Sequence, residues 1–334
     1  MARKREKVSI STIASETGVS AAIMVSRVIN HRTGVSEENR RKILQKLREY
    51  DFRTHYPARH KHHIAVVYAA VRFSHYHSEV LSSVFSAMQE YDLEPCLMLY
   101  QPRSGPSLLE RLREQQCSGA VLIVPSVFSG ELPELAESGL PIMLIDESTE
   151  VPGIGYVDND SYTGSFAAAR HLLELGHRRF LYFAVDTTAL NHVQRLNGCR
   201  DALKHAGLEP HIIDEQCEDT DELAYLRKQL AEHPEATAVM ASNDDLAQKI
   251  LKAAALNGLR VPEDLSVAGF DDYPMSRFLN PSLTTVRHPA REAGNLAVRA
   301  LAEYLQSNGK TALPHLVLPT ELTVRESTGP AEKT

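Results

Sequence analysis

The sequence predicts a small all-α head of three helices followed by a two-lobed α/β body, each lobe a doubly wound parallel sheet. Three observations carry the prediction. The chain has 334 residues, and roughly 150 residues per domain makes that two or three domains. Its first 50 positions hold helical stripes and no strand-like run. From Ile64 onward, short apolar runs alternate with amphipathic helical stretches.

In the head, Ser9 stands before Ile10, Ile13 and Ala14, a hydroxyl cap in front of an apolar stripe. Gly18-Val19-Ser20 breaks that helix and restarts it, with Ser20 placed to cap the second. Ser36 caps a third, in which Ile43, Leu47 and Tyr50 recur at helical spacing. Each cap is worth about 1 kcal/mol. Helix, glycine-containing turn, helix is the helix-turn-helix plan, whose second helix enters the DNA major groove. In the body, the runs IAVVYAA, PCLMLY, GAVLIV, PIMLI, RFLYFA, ATAVMA and LSVAGF are separated by helical patterns over 78–91, 107–116, 161–175, 191–206, 221–232 and 244–257. Apolar runs without strict alternation belong to parallel strands covered on both faces. They are too many for one compact sheet, hence two lobes with a cleft between them as the default binding site.

Composition narrows the function classes. With 43% hydrophobic and 24% charged residues, the chain is an ordinary globular protein. No run approaches the roughly 20 apolar residues that cross a bilayer, so no membrane is expected. The start, MARKREKVSIST, lacks the apolar core of a secretion signal. Cys96, Cys117, Cys199 and Cys217 lie far apart, which suits reduced cytoplasmic thiols. The net charge of −7 hides an asymmetry: residues 1–63 hold 14 Lys and Arg against 6 Asp and Glu, a local +8, and the rest holds 22 against 37, a local −15. A basic head on an acidic body points the head at a polyanion. His31, His55, His60, His62 and His63 fit no zinc spacing, so neither metal nor cofactor is expected.

Candidate site residues follow from the strand ends. Asp146 follows PIMLI, Asn243 closes ATAVMAS, Asp271 follows LSVAGF, and Arg195 opens the helical QRLNG segment. Polar groups at the carboxyl ends of buried strands point into a cleft. A carboxylate and a guanidinium around one small cavity suit a polyol. Asp244 reads as the N-cap of helix 244–257 and Asp272 as structural. No Ser/His/Asp, metal or phosphate-loop signature is present, so a non-enzyme is expected. The alternatives are a cytosolic sugar-processing enzyme using Asp146 and Asp271 as acid and base, and a sugar sensor without DNA binding.

The segments VSISTIASETGVS, VSRVIN and GVSEENRRKIL resemble the head of the lactose/galactose repressor family of bacterial transcription factors. PIMLIDE, YVDNDSYTGSFAAARHLLELGHRRFLYFA, QRLNGCRDALKHAGL, LSVAGFDDYPMSRFLNPSLTTVRHP and LPTELTVRES are similar to its sensor, in family order along nearly the whole chain. The resemblance implies a helix-turn-helix head over 1–53, a hinge over 54–63, and a periplasmic-binding-protein-like sensor. One lobe of it takes 64–158 and 286–316, the other 159–285 and 317–328, with 329–334 as tail. It implies double-stranded operator DNA, a sugar-like effector and a homodimer as partners. The DNA-contacting set is Ser9, Ser20, Ala21, Ala22, Ile23, Ser26, Arg27, Asn30, Arg59 and Lys61, with Arg27 the candidate guanine contact. Asp146, Arg195, Asn243 and Asp271 match effector-contacting positions, and Phe73 and Tyr76 sit where the family lines its cleft.

Two departures stand out. Ala21-Ala22-Ile23-Met24 is one residue longer than the family pattern before Val-Ser-Arg, which rotates the preceding positions by about 100°. Ala21 and Ala22, or Ala22 and Ile23, then occupy the base-reading slots, able to touch a thymine methyl but no donor or acceptor. In the hinge, Lys61 stands where the family carries a Leu that wedges into the minor groove. A Lys holds phosphate but does not unstack a base step, so weaker kinking and more salt-sensitive binding are expected. The tail RESTGPAEKT has no apolar heptads, so no tetramer is expected.

Overall fold

The computed structural model describes residues 10–17, 22–29, 35–49, 62–68, 75–100, 105–123, 128–184, 189–214 and 221–331. It forms two compact units, Met1–Lys61 and His62–Thr334.

The first unit holds α1 (Ile10–Thr17), α2 (Ala22–Ile29) and α3 (Glu37–Glu49). Ile13, Ala14, Val25, Val28 and Ile43 form its core. Val25 and Val28, three apart, share one face of α2. The remaining face carries Ile23, 61% exposed, and the exposed Arg27 one turn on. Ser36 caps α3, its Oγ accepting from Asn39 N at 3.4 Å.

In the second unit the strands and helices run β1 (His63–Tyr68), α4 (His75–Glu90), β2 (Glu94–Leu99), α5 (Leu108–Glu114), β3 (Gly119–Ile123), α6 (Leu132–Glu137), β4 (Ile142–Ile145) and β5 (Ile154–Asn159). They continue α7 (Ser161–Glu174), β6 (Phe180–Ala184), α8 (Leu190–His205), β7 (His211–Asp214), α9 (Glu222–Glu232), β8 (Ala238–Ala241), α10 (Asp244–Leu256) and β9 (Ser266–Asp271). The last are β10 (Thr284–Arg287), α11 (Ala290–Gln306), β11 (His315–Leu318) and β12 (Glu321–Thr323). Two six-stranded sheets result, ordered β11-β5-β4-β3-β1-β2 and β12-β10-β9-β8-β6-β7. Every pairing is parallel except β10 with β12.

Alternate residues of each strand feed opposite cores, which is why the runs show no polar face. Ile64, Val66 and Tyr68 pack with Val80, Val84, Ala297 and Leu301, whereas Ala65 and Val67 pack with Leu108, Leu112 and Phe128. In the second sheet Leu181 and Phe183 face Leu226 and Ile250, and Phe180 and Tyr182 face Leu172 and Leu203. Ser107, Asp160 and Asp221 cap α5, α7 and α9. At Gly198 on α8, an added Cβ would overlap the Tyr162 carbonyl oxygen of α7, so only glycine permits that crossing.

The chain passes between the sheets after β5, between β10 and α11, and between β11 and β12. Strands of a parallel sheet end together, so the carboxyl ends of β4 and β5 meet the crossovers, as do those of β9 and β10. Beyond β12 the chain stays on the second lobe: Ser327 Oγ donates to Val267 O at 2.6 Å and Ala331 N to Leu175 O at 2.9 Å. No helix among the described residues is long and apolar enough to cross a membrane.

Candidate functional site

Where β4 and β9 end, the chain turns sharply: Asp146 has φ +71°, Asp271 φ +115° and Asp272 φ +56°. Non-glycine residues avoid this left-handed region, though Asp enters it more readily than most. Each such residue costs about 1–3 kcal/mol and persists only where its surroundings hold it.

What holds them is a continuous polar relay between the lobes. From the first lobe, Asp146 Oδ1 accepts from Asn159 Nδ2, at the end of β5, and lies 3.1 Å from His288 Nε2. Its Oδ2 accepts from Asn191 Nδ2, in the first turn of α8, at 2.8 Å. Asn159 Oδ1 accepts from Ser161 Oγ at 2.8 Å. Ser161 Oγ in turn accepts from Arg195 Nε at 3.3 Å. Arg195, 3% exposed, spends its other arms on the second lobe: Nη1 donates to Ser242 O at 2.7 Å and Nη2 lies 3.5 Å from Asp271 Oδ1. Its Cζ stands 3.9 Å above the Phe270 ring, a cation–π contact strengthened by burial. His288 closes the circuit, with Nδ1 3.5 Å from Asp271 Oδ1 and its ring stacked on Tyr76 at 4.4 Å and 6°.

Burial works against ionisation here, and the pairing decides the outcome. Burial would raise Asp146, but His288 and then Arg195 hold it below the usual carboxylate range. Burial would lower His288, but Asp146 and Asp271 hold it above the usual histidine value. Asp158, beside this cluster on β5, is pushed up to about 6 by burial and then by Asp146. Tyr76 is pushed well up by burial, with Asp146 and Asp271 adding to it. The arrangement is a network of hydrogen bonds and ion pairs that joins two lobes.

Of the expected cleft residues, Tyr76, Asp146, Arg195 and Asp271 come together. Asn243, after β8, caps α10, its Oδ1 accepting from Leu246 N at 2.8 Å. That corrects the expectation for Asp244. Asn243 has the extended backbone a cap needs, φ −155° and ψ 171°, whereas Asp244 lies inside the first turn and is drawn the other way. It accepts from Thr285 Oγ1 and Ser276 Oγ, both at 2.5 Å, and from Tyr273 N at 3.0 Å. Burial, then Asp271, pushes it up to about 8. Asp272 is structural as expected, paired with Arg325 Nη2 at 2.6 Å. Sequence reasoning missed Asn159, Ser161, Asn191, Tyr273 and His288. Phe73 lies outside the described residues, as do Ser9, Ser20, Ala21, Asn30, Arg59 and Lys61. Ala22 and Ser26 lie on α2 with Ile23 and Arg27.

Residues 169–328 match the model of a periplasmic binding protein-like domain. The HTH-type transcriptional regulator CelR of Thermobifida fusca is 30% identical, over 97% of this chain and 99% of its own. A solved CelR–cellobiose complex is similar at 26% identity and TM-score 0.65, covering 96% of this chain and 100% of that one. The lac repressor dimer, bound to operator and an anti-inducer, shares the fold at TM-score 0.75 and 24% identity, over 97% of this chain and 100% of its own.

Proposed function

We propose, for a chain that belongs to the lactose/galactose repressor family of transcription regulators, that it is a sequence-specific DNA-binding regulator, a repressor, whose grip on operator DNA is set by a sugar-like effector held between two lobes. The head, residues 1–53, reads the duplex through α2. The hinge, 54–63, joins it to a sensor whose first lobe takes 64–158 and 286–316 and whose second takes 159–285 and 317–328. The effector is held by Phe73, Tyr76, Asp146, Arg195, Asn243 and Asp271. The protein works in the cytoplasm as a homodimer, catalyses no reaction and needs no cofactor.

One observation carries this reading. Asp146 belongs to one lobe and Asp271 to the other, yet both converge on the same buried spot through Arg195 and His288. A ligand that hydrogen-bonds to both biases the angle between the lobes, and two-fold symmetry turns that angle into the spacing of two heads on a palindromic site. Control needs differential affinity: a tenfold change in DNA binding takes about 1.4 kcal/mol of coupling. CelR, whose structure holds cellobiose, supplies the first probe. Gel shifts on the gene's own upstream DNA, with and without cellobiose, ribose and other neutral sugars, test the reading. A shift altered at least tenfold by one sugar supports it. No shift at moderate salt, with the fold intact, returns the chain to a sensor without DNA binding. On the hinge with Lys61, circular-permutation gels should show a shallow bend, and a sharp central kink would refute that part.

A further inference from the structure

His288 stands on the crossover between β10 and α11 and is 5% exposed. Its two ring nitrogens face carboxylates from opposite lobes: Nε2 at 3.1 Å from Asp146 Oδ1, Nδ1 at 3.5 Å from Asp271 Oδ1. The ring lies flat on Tyr76 of the first lobe and edge-on to Phe270 of the second. A neutral imidazole carries one N–H and one acceptor nitrogen, so one carboxylate would face a lone pair. Only the imidazolium offers a donor to both. We propose that His288 is the positioning residue that clamps the two lobes through Asp146 and Asp271, and that this pairing, which leaves the cleft two carboxylates and no uncommitted cation, restricts it to uncharged, hydroxyl-bearing effectors. This rests on reading the cleft as the effector site.

The titratable groups facing His288 are Asp146 after β4, Asp158 on β5, Asp271 on β9, Arg195 on α8, and Tyr76 and His77 on α4. With His288 protonated, Asp146 and Asp271 are balanced by His288 and Arg195. His77 is held below the usual histidine value by burial and adds no cation. Arg195 has Nε, Nη1 and Nη2 all committed. A ligand carboxylate or phosphate entering here meets two carboxylates and no uncommitted cation among these groups. The Tyr76 hydroxyl on the first lobe is buried without a hydrogen-bond partner, and the Tyr273 hydroxyl on the second faces Asp271. A ligand hydroxyl accepts from a phenol and donates to a carboxylate at once, whereas an ionised carboxylate or phosphate oxygen only accepts.

The pH sign follows from linkage. Because the paired carboxylates hold His288 above its ordinary value of 6.5, the clamp is complete below that value and is lost as pH rises through the folded one. The test is a side-chain 15N–1H NMR titration of the ligand-free full chain from pH 5 to 9, with His288 assigned from H288Q and, should that variant not fold, from the shift that D146N causes. We expect His288 to remain doubly protonated beyond pH 6.5 and D146N to lower its titration. A wild-type His288 that titrates at or below 6.5 overturns the proposal, whatever binds the cleft. In parallel, wild-type protein is titrated with cellobiose against cellobionic acid and ribose against ribose 5-phosphate. A neutral sugar that binds should lose at least tenfold affinity in its anionic form, and weaken again from pH 6 to pH 9. An anionic partner that binds as tightly overturns the proposal. Should His288 titrate high while neither pair binds, the clamp stands and the effector reading is what fails.

Discussion

Arg195→Ala removes more than an effector contact, and the structure says how much more. The guanidinium joins three elements: α7 through Ser161, the end of β8 through Ser242, and β9 through Asp271. Removing one partner of a buried ion pair costs about 3–5 kcal/mol, because the other charge is left uncompensated. A desolvated cation–π contact of the kind made with Phe270 is worth about 2 kcal/mol more. Against this, His288 stays near Asp271, so that carboxylate is not abandoned. The low end applies to the pair, about 3 kcal/mol, and with the ring contact the loss is about 5 kcal/mol. At roughly 2–4 °C per kcal/mol for domains of this size, the melting temperature should drop by about 10–20 °C.

The assay is thermal and urea unfolding followed by circular dichroism, since the chain has no Trp to report by fluorescence. A double-mutant cycle with Asp271→Asn separates the pair from the remaining contacts. Residues in direct contact couple by roughly 0.5–3 kcal/mol, and independent sites add within about 0.3–0.5 kcal/mol. A coupling above about 1 kcal/mol is expected. An R195A protein melting within about 1 °C of wild type, or an additive cycle, would show that Arg195 does not hold the relay together.

Gly198→Ala sets two effects against each other. Alanine gains about 1 kcal/mol of helix propensity, but its Cβ meets the Tyr162 carbonyl and stands 3.0 Å from Phe166 N. Backbone cannot move aside as a side-chain tip does, and overpacking costs about 1–3 kcal/mol, so a net loss is expected; an unchanged or raised melting temperature sinks it. Leu99 on the edge strand β2 is 70% exposed and Phe278 is 68% exposed, the kind of apolar surface that marks an interface. L99E and F278E together should turn a dimer into a monomer by analytical ultracentrifugation, and an intact dimer places the interface elsewhere. Arg27→Ala should weaken specific DNA binding about 5- to 150-fold, equivalent to roughly 1–3 kcal/mol, and relax discrimination at one base. An equal loss on scrambled DNA, with the salt slope reduced by about one, makes Arg27 a phosphate contact instead.

All seven apolar runs read from the sequence became strands, because a strand buried on both faces announces itself by composition alone. The strands that escaped notice are short or broken by polar residues: IGYVDN, HIID, TTVR, HLVL and ELT. Asp146 and Asp271 could be picked out since a charge at the end of a buried strand needs a reason, and Arg195 since a guanidinium opening the helical QRLNG segment suits the same cleft. Their partners could not, for each comes by long-range pairing. Asn159 reaches Asp146 because β4 and β5 are adjacent and in register, Ile145 beside Val157. The YVDND string offered a signal, polar residues closing a buried run. His288 had none, lying in VRHP ahead of a helix, where histidine is ordinary. Asn243 took the cap expected of Asp244 because neighbouring cap formers look alike in sequence. Which one caps is settled by donors arriving from Tyr273, Ser276 and Thr285.

The strained corners explain why stability and response share atoms. Glycine would relieve the left-handed backbone at 146 and 271, yet it would remove the carboxylates on which the relay depends. Aspartate there carries a conformational cost of about 1–3 kcal/mol at each position, offset by Asn159, Asn191, His288 and Arg195. Those offsetting contacts come from both lobes, so each corner is held by its full set of partners only while the lobes stay together. A ligand that substitutes for any one of them changes what holds the corner and what joins the lobes in the same step. Lobe angle is therefore sensitive to small changes at this spot, without a separate transmission path through the rest of the body.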